Sequence, residues 1–414
     1  MNKKTIDQID LNGKRVIIRV DFNVPMKGQQ ITNNKRIVAA IPTIKKAYES
    51  GAKVILLSHL GRIKEESDKA KKTLKPVAKE LSNLINKSVK FIPETSGTIV
   101  KEAVKNMQDG DIIMLENTRF EDLNNKSESK NNPKLGKFWA SLCDVFINDA
   151  FGTSHRSHAS NVGIASNVSE SAIGYLVEQE IEKISKAINN PARPAIAIIG
   201  GAKVTDKIQT IDHLIQNVDR VIIAGGMAHT FSKAQGLSVG NSLVQEEEIV
   251  ELARNYLKKY QEKIVLPIDA ALSPKFDNIA PIYNKYNSLE IPDGYMGLDI
   301  GPKTIELFKK VLNGAKTVIW NGPVGVCEFS NYSYGTSELA KIIGSLPNAY
   351  TVVGGGDSVA AIMNLGLESK FSHISTGGGA CLMMLEGKPL PGVVAIQNKD
   401  DQPRKKVKIE SSKK

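Results

Sequence analysis

Arg15-Val16-Ile17-Ile18-Arg19-Val20-Asp21-Phe22-Asn23-Val24-Pro25 is an apolar run of strand length that breaks into a loop carrying charge. The pattern recurs along the first 160 residues. Residues 53–58 run into His59-Leu60-Gly61-Arg62, residues 111–115 into Glu116-Asn117-Thr118-Arg119-Phe120, and residues 144–147 into the loop from Asn148 to His158. Continuous apolar strands alternating with helical stretches, such as residues 37–50 and 74–86, predict a parallel sheet buried on both faces. Ligands of such sheets bind beyond the carboxyl ends of the strands, so these loops gather on one edge. A bowl lined by Arg and His suits a small, multiply charged anion.

A second series of apolar strands begins at residue 195, with members at 195–199, 220–224, 263–268, 317–320 and 350–353. The loops of this series carry glycine rather than arginine: Gly200-Gly201-Ala202-Lys203, Gly225-Gly226-Met227, Asn321-Gly322-Pro323-Val324-Gly325, Gly354-Gly355-Gly356-Asp357-Ser358, and further on Gly377-Gly378-Gly379. Glycine allows backbone N–H groups to approach phosphate oxygens closely, and a following helix adds its positive end. The set predicts a nucleotide site. Lys203 and Lys207 are expected four apart on one face of the following helix, where a polyphosphate would offset their conflict with the helix dipole. Asp357, at a helix start, suits either an N-cap or a Mg²⁺ ligand.

The two series predict an α/β chain of two doubly wound parallel-sheet (Rossmann-like) domains. Between them, residues 173–188 form an amphipathic helix with Ile173, Leu176, Val177, Ile181, Ile184 and Ile188 on one face, read here as a hinge helix. The expected division is 1–172, 173–392, and a C-terminal segment 393–414 with a basic tail from about 398. Residues 64–72 and 122–133 read as charged, exposed insertions.

Bulk properties narrow the function. At 414 residues, 41% of them hydrophobic, the chain is long enough for two cores. Its three cysteines lack any metal or disulfide spacing, and no apolar stretch reaches membrane length, so a cytoplasmic protein without a membrane partner is expected. The formal charge is +11, yet residues 404–414 hold six cations against Glu410 and read as a solvated tail. Aromatics are 6% of the chain and no basic stripe is interleaved with them, so no nucleic-acid partner is expected, an added role of the tail aside. A P-loop, a complete dinucleotide fingerprint, the protein-kinase set, HExxH and G-x-S-x-G are all missing. The missing fingerprint argues against a nicotinamide-dependent dehydrogenase, the rival two-domain α/β reading.

Taken together, Arg19 to Pro25, Ser58 to Arg62, Leu115 to Phe120, Asn148 to Thr153, Gly200 to Val204, Trp320 to Gly325 and Ser375 to Ala380 resemble phosphoglycerate kinase, in the family's order and over about residues 15–394. The resemblance implies a phosphotransferase with a carboxyl acceptor. It would move the γ-phosphoryl group of ATP reversibly to 3-phosphoglycerate, giving 1,3-bisphosphoglycerate and ADP, with Mg²⁺. It implies that Asp21, Asn23, Arg36, His59, Arg62, Arg119 and Arg156 hold the triose. Lys203, Lys207, Gly297, Asn321, Glu328, Gly355, Gly356, Asp357 and Ser358 would meet the nucleotide, with Asp357 on the metal. Arg36, Lys203 and Gly378 of the 377–379 loop would surround the moving phosphoryl group. It further implies a C-terminal segment returning to the first domain. With the two ligand sets on separate domains, closure of the halves before in-line transfer is expected, and with no exposed apolar heptad or pairing helix, a monomer is expected. Departures are Cys327 where an aromatic is common, Ser358 for a frequent Thr, Ser157 for a usual Ala, and a longer, more basic tail.

Overall fold

The computed structural model describes residues 2–283 and 290–404. Its backbone divides into two compact units, one running to Glu182 and resuming at Pro389, the other spanning Lys183–Lys388. The division falls inside the helix Tyr175–Asn189, which is preceded by a strand, Glu170–Ile173.

In the first unit six parallel strands stand in the order Lys90–Ile92, Ile112–Leu115, Lys53–Leu57, Arg15–Arg19, Val145–Asn148, Glu170–Ile173. Val16, Ile17, Ile18, Val54, Ile55 and Leu56 are all fully buried, on both faces of the sheet, which is why their sequence is continuous rather than alternating. Ile37, Ile44 and Ala47 of helix Lys35–Glu49, and Val77 and Leu81 of helix Lys75–Ile85, complete this core. The chain enters at the sheet's middle, so the order reverses beside Arg15–Arg19. A crevice opens at the carboxyl end of such a strand.

The second unit repeats the plan with strands Ile264–Val265, Arg220–Ile223, Ala195–Ile199, Thr317–Asn321, Tyr350–Gly354 and His373–Ile374. Numbered within this sheet the order is 3-2-1-4-5-6, the dinucleotide-fold order, with its reversal between Ala195–Ile199 and Thr317–Asn321. Phe308, Trp320, Leu339 and Ile362 anchor its core.

Several expectations need correction. Residues 64–72 are not all loop: Ser67–Lys71 is a short helix. Residues 122–133 are not an exposed insertion, because Glu128 is completely buried and Ser127 nearly so. Antiparallel strands Ala270–Ser273, Ile282–Tyr283 and Met296–Ile300 form an additional sheet the sequence pattern did not reveal. Arg404, expected at the start of a solvated tail, donates its backbone N–H to Ser169 (2.8 Å) and Nη1 to the carbonyl of Ala165 (2.9 Å). The rest of that tail, residues 405–414, lies outside the described residues. The segment before it lies along the first unit: Gln397 exchanges hydrogen bonds with Ser171 and accepts from the Lys4 N–H, and Gly392 pairs with Ser154. No described helix is long and apolar enough to cross a membrane.

Candidate functional site

In the first unit, the loops leaving the sheet's carboxyl edge are fastened to one another by their own side chains. Asn117 is the clamp: Oδ1 accepts the N–H of Leu60 (3.2 Å) and Arg119 (3.1 Å), while Nδ2 donates to the carbonyls of Leu60 and Lys72, both at 2.8 Å. Asn23 Oδ1 accepts the Gly61 N–H at 2.8 Å. Arg36, in the first turn of Lys35–Glu49, directs Nη1 at both oxygens of Asp21 (3.3 Å) and at the Asn23 carbonyl (3.1 Å). Its planar group is thereby oriented before any ligand arrives.

Cations crowd this edge. Arg19 is entirely buried at the end of its strand, and Arg119 is 8% exposed with Nε lacking a partner. Arg62 and Arg156 are exposed. Burial, then Arg19, Arg119, His158 and Arg36, hold the His59 imidazole well below its usual value. Burial and the arginines Arg19, Arg119 and Arg156 push His158 down to about 3. Both rings are neutral at pH 7. The edge therefore presents permanent guanidinium charge and neutral N–H donors, with Asp21 as a carboxylate that orients rather than attracts. Such an array receives an anion with several oxygens.

The second unit solves the problem with backbone. A Cβ on Gly200 would lie 2.1 Å from the Pro323 carbonyl oxygen, and one on Gly322, at φ +93°, would lie 2.3 Å from that of Gly200. The two loops at the sheet's reversal touch main chain to main chain, which no other residue type permits. They border a pocket of 540 Å³ lined also by Gly225, Gly226, Gly297, Glu328 and Asp357. His229, buried at the pocket wall, has its Nε2 at 3.1 Å from the Gly297 carbonyl, and burial pushes it down to about 4. Lys207 Nζ donates to Asn321 Oδ1 at 2.7 Å, and burial lowers its pKa. Helices Gly356–Asn364 and Gly378–Leu385 start inside glycine loops, so their first N–H groups lack helical acceptors. Asp357 lies in the first turn of one of them, and Ser358 Oγ is buried without a partner.

The chain thus carries two parallel sheets, one edged with arginine and the other with glycine. Residues 6–388 match the phosphoglycerate kinase family. The chain belongs to that family. It is 56% identical over 403 residues to a phosphoglycerate kinase of Levilactobacillus brevis, covering 96% of this chain and all of that one. A Mesomycoplasma hyopneumoniae phosphoglycerate kinase is 54% identical over 399 residues, covering 96% of this chain and 98% of the relative. Among solved structures, the phosphoglycerate kinase of Coxiella burnetii superposes with a TM-score of 0.84 at 39% identity, covering 95% of this chain and 98% of that one. That of Pyrococcus horikoshii OT3 gives 0.79 at 32%, with the same coverage.

Set against the family's motifs, Asp21, Asn23, His59, Arg62, Arg119 and Arg156 all stand on loops of the first sheet's carboxyl edge, with Arg36 tied to Asp21. In the second unit Gly297, Glu328 and Asp357 share one pocket, and Lys207 and Asn321 are joined. Lys203 does not fit the expected helix face. The helix begins at Ile208 with Lys207 as its N-cap, leaving Lys203 exposed on the loop before it. The Gln245 side chain accepts the N–H groups of Val204 (2.6 Å) and Thr205 (3.3 Å) in a turn ahead of the helix, so only Lys207 meets the helix start. Cys327 donates Sγ–H to Thr336 Oγ1 at 3.3 Å, and burial pushes its thiol up to about 11. Sequence reasoning left Arg19, Glu128, Ser160 and His158 without roles, although all four meet behind the acceptor loops. The available signal was Arg19 itself, a charge inside an otherwise apolar buried strand.

Proposed function

We propose that this chain catalyses reversible transfer of the γ-phosphoryl group of ATP to the carboxylate of 3-phosphoglycerate, giving 1,3-bisphosphoglycerate and ADP. Its family membership supports this activity. The observation that carries the assignment of residues is the buried arginine and neutral-histidine edge of the first unit, complementary to a small polyanion. Asp21, Asn23, Arg36, His59, Arg62, Arg119 and Arg156 hold the triose. Lys203, Lys207, Gly297, Asn321, Glu328, Gly355, Gly356, Asp357 and Ser358 hold the nucleotide.

A carboxylate acceptor with a pKa of about 4 is already ionised at pH 7, so the reaction requires no general base. The neutral imidazoles serve as donors instead. What the protein supplies is alignment and charge neutralisation on the equatorial oxygens. Arg36 is held through Nη1 by Asp21 and Asn23, and its rigid planar fork gives the bidentate geometry that phosphate and carboxylate oxygens accept. Lys203, exposed and outside the helix, brings a point charge that can follow the transferred group. The N–H of Gly378 opens a helix, and its positive end would favour the same charge. Magnesium takes one or two protein carboxylates plus phosphate oxygens and water. Asp357 at the pocket fits that demand, and no described cluster of three potential ligands competes with it. The bound ion would neutralise phosphate charge. Closure about Tyr175–Asn189, a cytoplasmic location and a working monomer belong to the same proposal.

The test is ADP formation from ATP, Mg²⁺ and 3-phosphoglycerate, with Arg36→Ala and Lys203→Ala as controls. Triose-dependent turnover, lost in both variants, is the expected result. A folded protein that binds MgATP yet turns over no 3-phosphoglycerate would overturn the reading.

A further inference from the structure

Behind the acceptor edge lies a chain of contacts closed to solvent. Glu128, completely buried, comes from the segment whose sequence looks like an exposed insertion. Its carboxylate accepts the backbone N–H of Ser160 at 2.9 Å and the Ser160 hydroxyl. That hydroxyl in turn accepts Arg19 Nε–H at 2.8 Å. Arg19 Nη1 donates to the Val20 carbonyl, and Nη2 lies 3.3 Å from His59 Nδ1. Glu128 Oε1 is also 4.0 Å from Arg19 Nη2 and 3.7 Å from His158 Nδ1.

Guanidinium has donors and no acceptor, so the His59 nitrogen facing it must offer a lone pair. The ring hydrogen of neutral His59 therefore sits on Nε2. The Nδ1–H tautomer would set N–H against N–H, and a flipped ring would set a C–H there in place of the acceptor. The orientation of His59 thus depends on where Arg19 is held, and Arg19 depends on the Glu128 carboxylate paired with it in a dry interior.

We infer that Glu128 is a positioning residue for the acceptor site, acting through Ser160 and Arg19 to fix His59 with Nε2–H as the donor offered to the triose. The inference rests on the assignment of His59 to the triose. Glu128→Gln keeps the shape and removes the charge. Losing a well-aligned hydrogen bond to a charged ligand raises the KM for 3-phosphoglycerate about tenfold, with the KM for ATP unchanged. Nitrogen-15 NMR of the His59 ring reports Nε2–H alone in the parent protein and a mixture of tautomers in the variant. Ser160→Ala, which removes the relaying hydroxyl, gives the same two changes, and Ser160→Thr, which keeps it, restores both.

A folded Glu128→Gln protein with the parent's triose KM and a single tautomer overturns the inference, as does an equal rise in both KM values. If Glu128→Gln fails to fold, the Ser160→Ala and Ser160→Thr pair decides the matter on the same readouts. Absence of any 3-phosphoglycerate turnover in the parent would instead defeat the assignment of the triose, and the NMR comparison would still show whether Glu128 governs the His59 ring.

Discussion

The two sheets share one plan and equip their edges in opposite ways. The first places long charged side chains on its loops and then spends buried groups holding them: Asp21 on Arg36, Asn117 on the His59 and Arg119 loops, Glu128 and Ser160 on Arg19. The second removes side chains, brings Gly200 and Gly322 into main-chain contact, and starts two helices inside glycine loops. A small acceptor offers few atoms, so each must meet a donor fixed in direction. A polyphosphate offers many equivalent oxygens, which fixed backbone dipoles meet with no side-chain entropy to lose.

The sharpest way to break that comparison is to remove one charge from each side. Arg36→Ala and Lys203→Ala each lower turnover by about a hundredfold or more, as loss of a transition-state donor does elsewhere. In the comparison's terms, Arg36→Ala also weakens 3-phosphoglycerate binding, whereas Lys203→Ala leaves it intact by calorimetry. Gly322→Ala comes next. Its Cβ would meet the Gly200 carbonyl at a positive φ, so the variant loses roughly 1–3 kcal/mol of stability from strain. The KM for ATP rises about tenfold, the equivalent of 1.4 kcal/mol, while titration with 3-phosphoglycerate stays normal.

A smaller effect tests a point on which the units agree. Each buries an aspartate among backbone donors: Asp149 accepts from Leu176 and Val177, Asp299 from Gly335 and Ile300. Burial pushes both up to about 7, against an ordinary 3.8. Between those values the folded protein binds more protons than the unfolded chain, so stability falls as pH rises from about 4 through 7. Asp149→Asn flattens the loss in the first unit and Asp299→Asn in the second, read by amide hydrogen exchange at pH 5 and pH 8. The smallest expected effect is that of the tail. Truncation after Arg404 keeps its contacts to Ser169 and Ala165 and leaves both KM values within about twofold, since the residues removed lie beyond the stretch, 6–388, that matches the family.

The sequence revealed strands buried on both faces, because burial forces a continuous apolar run that the next residue breaks. Strand 195–199 is found where it was expected, and Arg15–Arg19 ends one residue early. Ala270–Ser273 and Ile282–Tyr283 escaped notice because they are short, and alanine, serine and tyrosine carry no periodic signal there. Candidate site residues on loops next to such strands are proposed from chemistry and motif order. The residues that support those loops were not legible. Glu128 sits among Asn, Ser and Lys, and only the folded chain shows that this polar stretch closes over a buried arginine. Lys203 does not start the helix its spacing suggests, because spacing alone does not reveal that the Gln245 side chain takes the N–H groups of Val204 and Thr205.

The return of the chain to the first unit has a consequence for how the protein is made. Gln397 and Gly392 fill hydrogen-bonding places beside Ser171, Lys4, Ser154 and Asn148. The unit that begins first on the ribosome therefore waits for residues translated after the whole of Lys183–Lys388, which is continuous in sequence. Vectorial synthesis ordinarily lets the N-terminal domain finish first. Here the order of completion is reversed: the glycine-edged unit can mature on the nascent chain, and the arginine-edged one is sealed only once residues 389–397 have followed it.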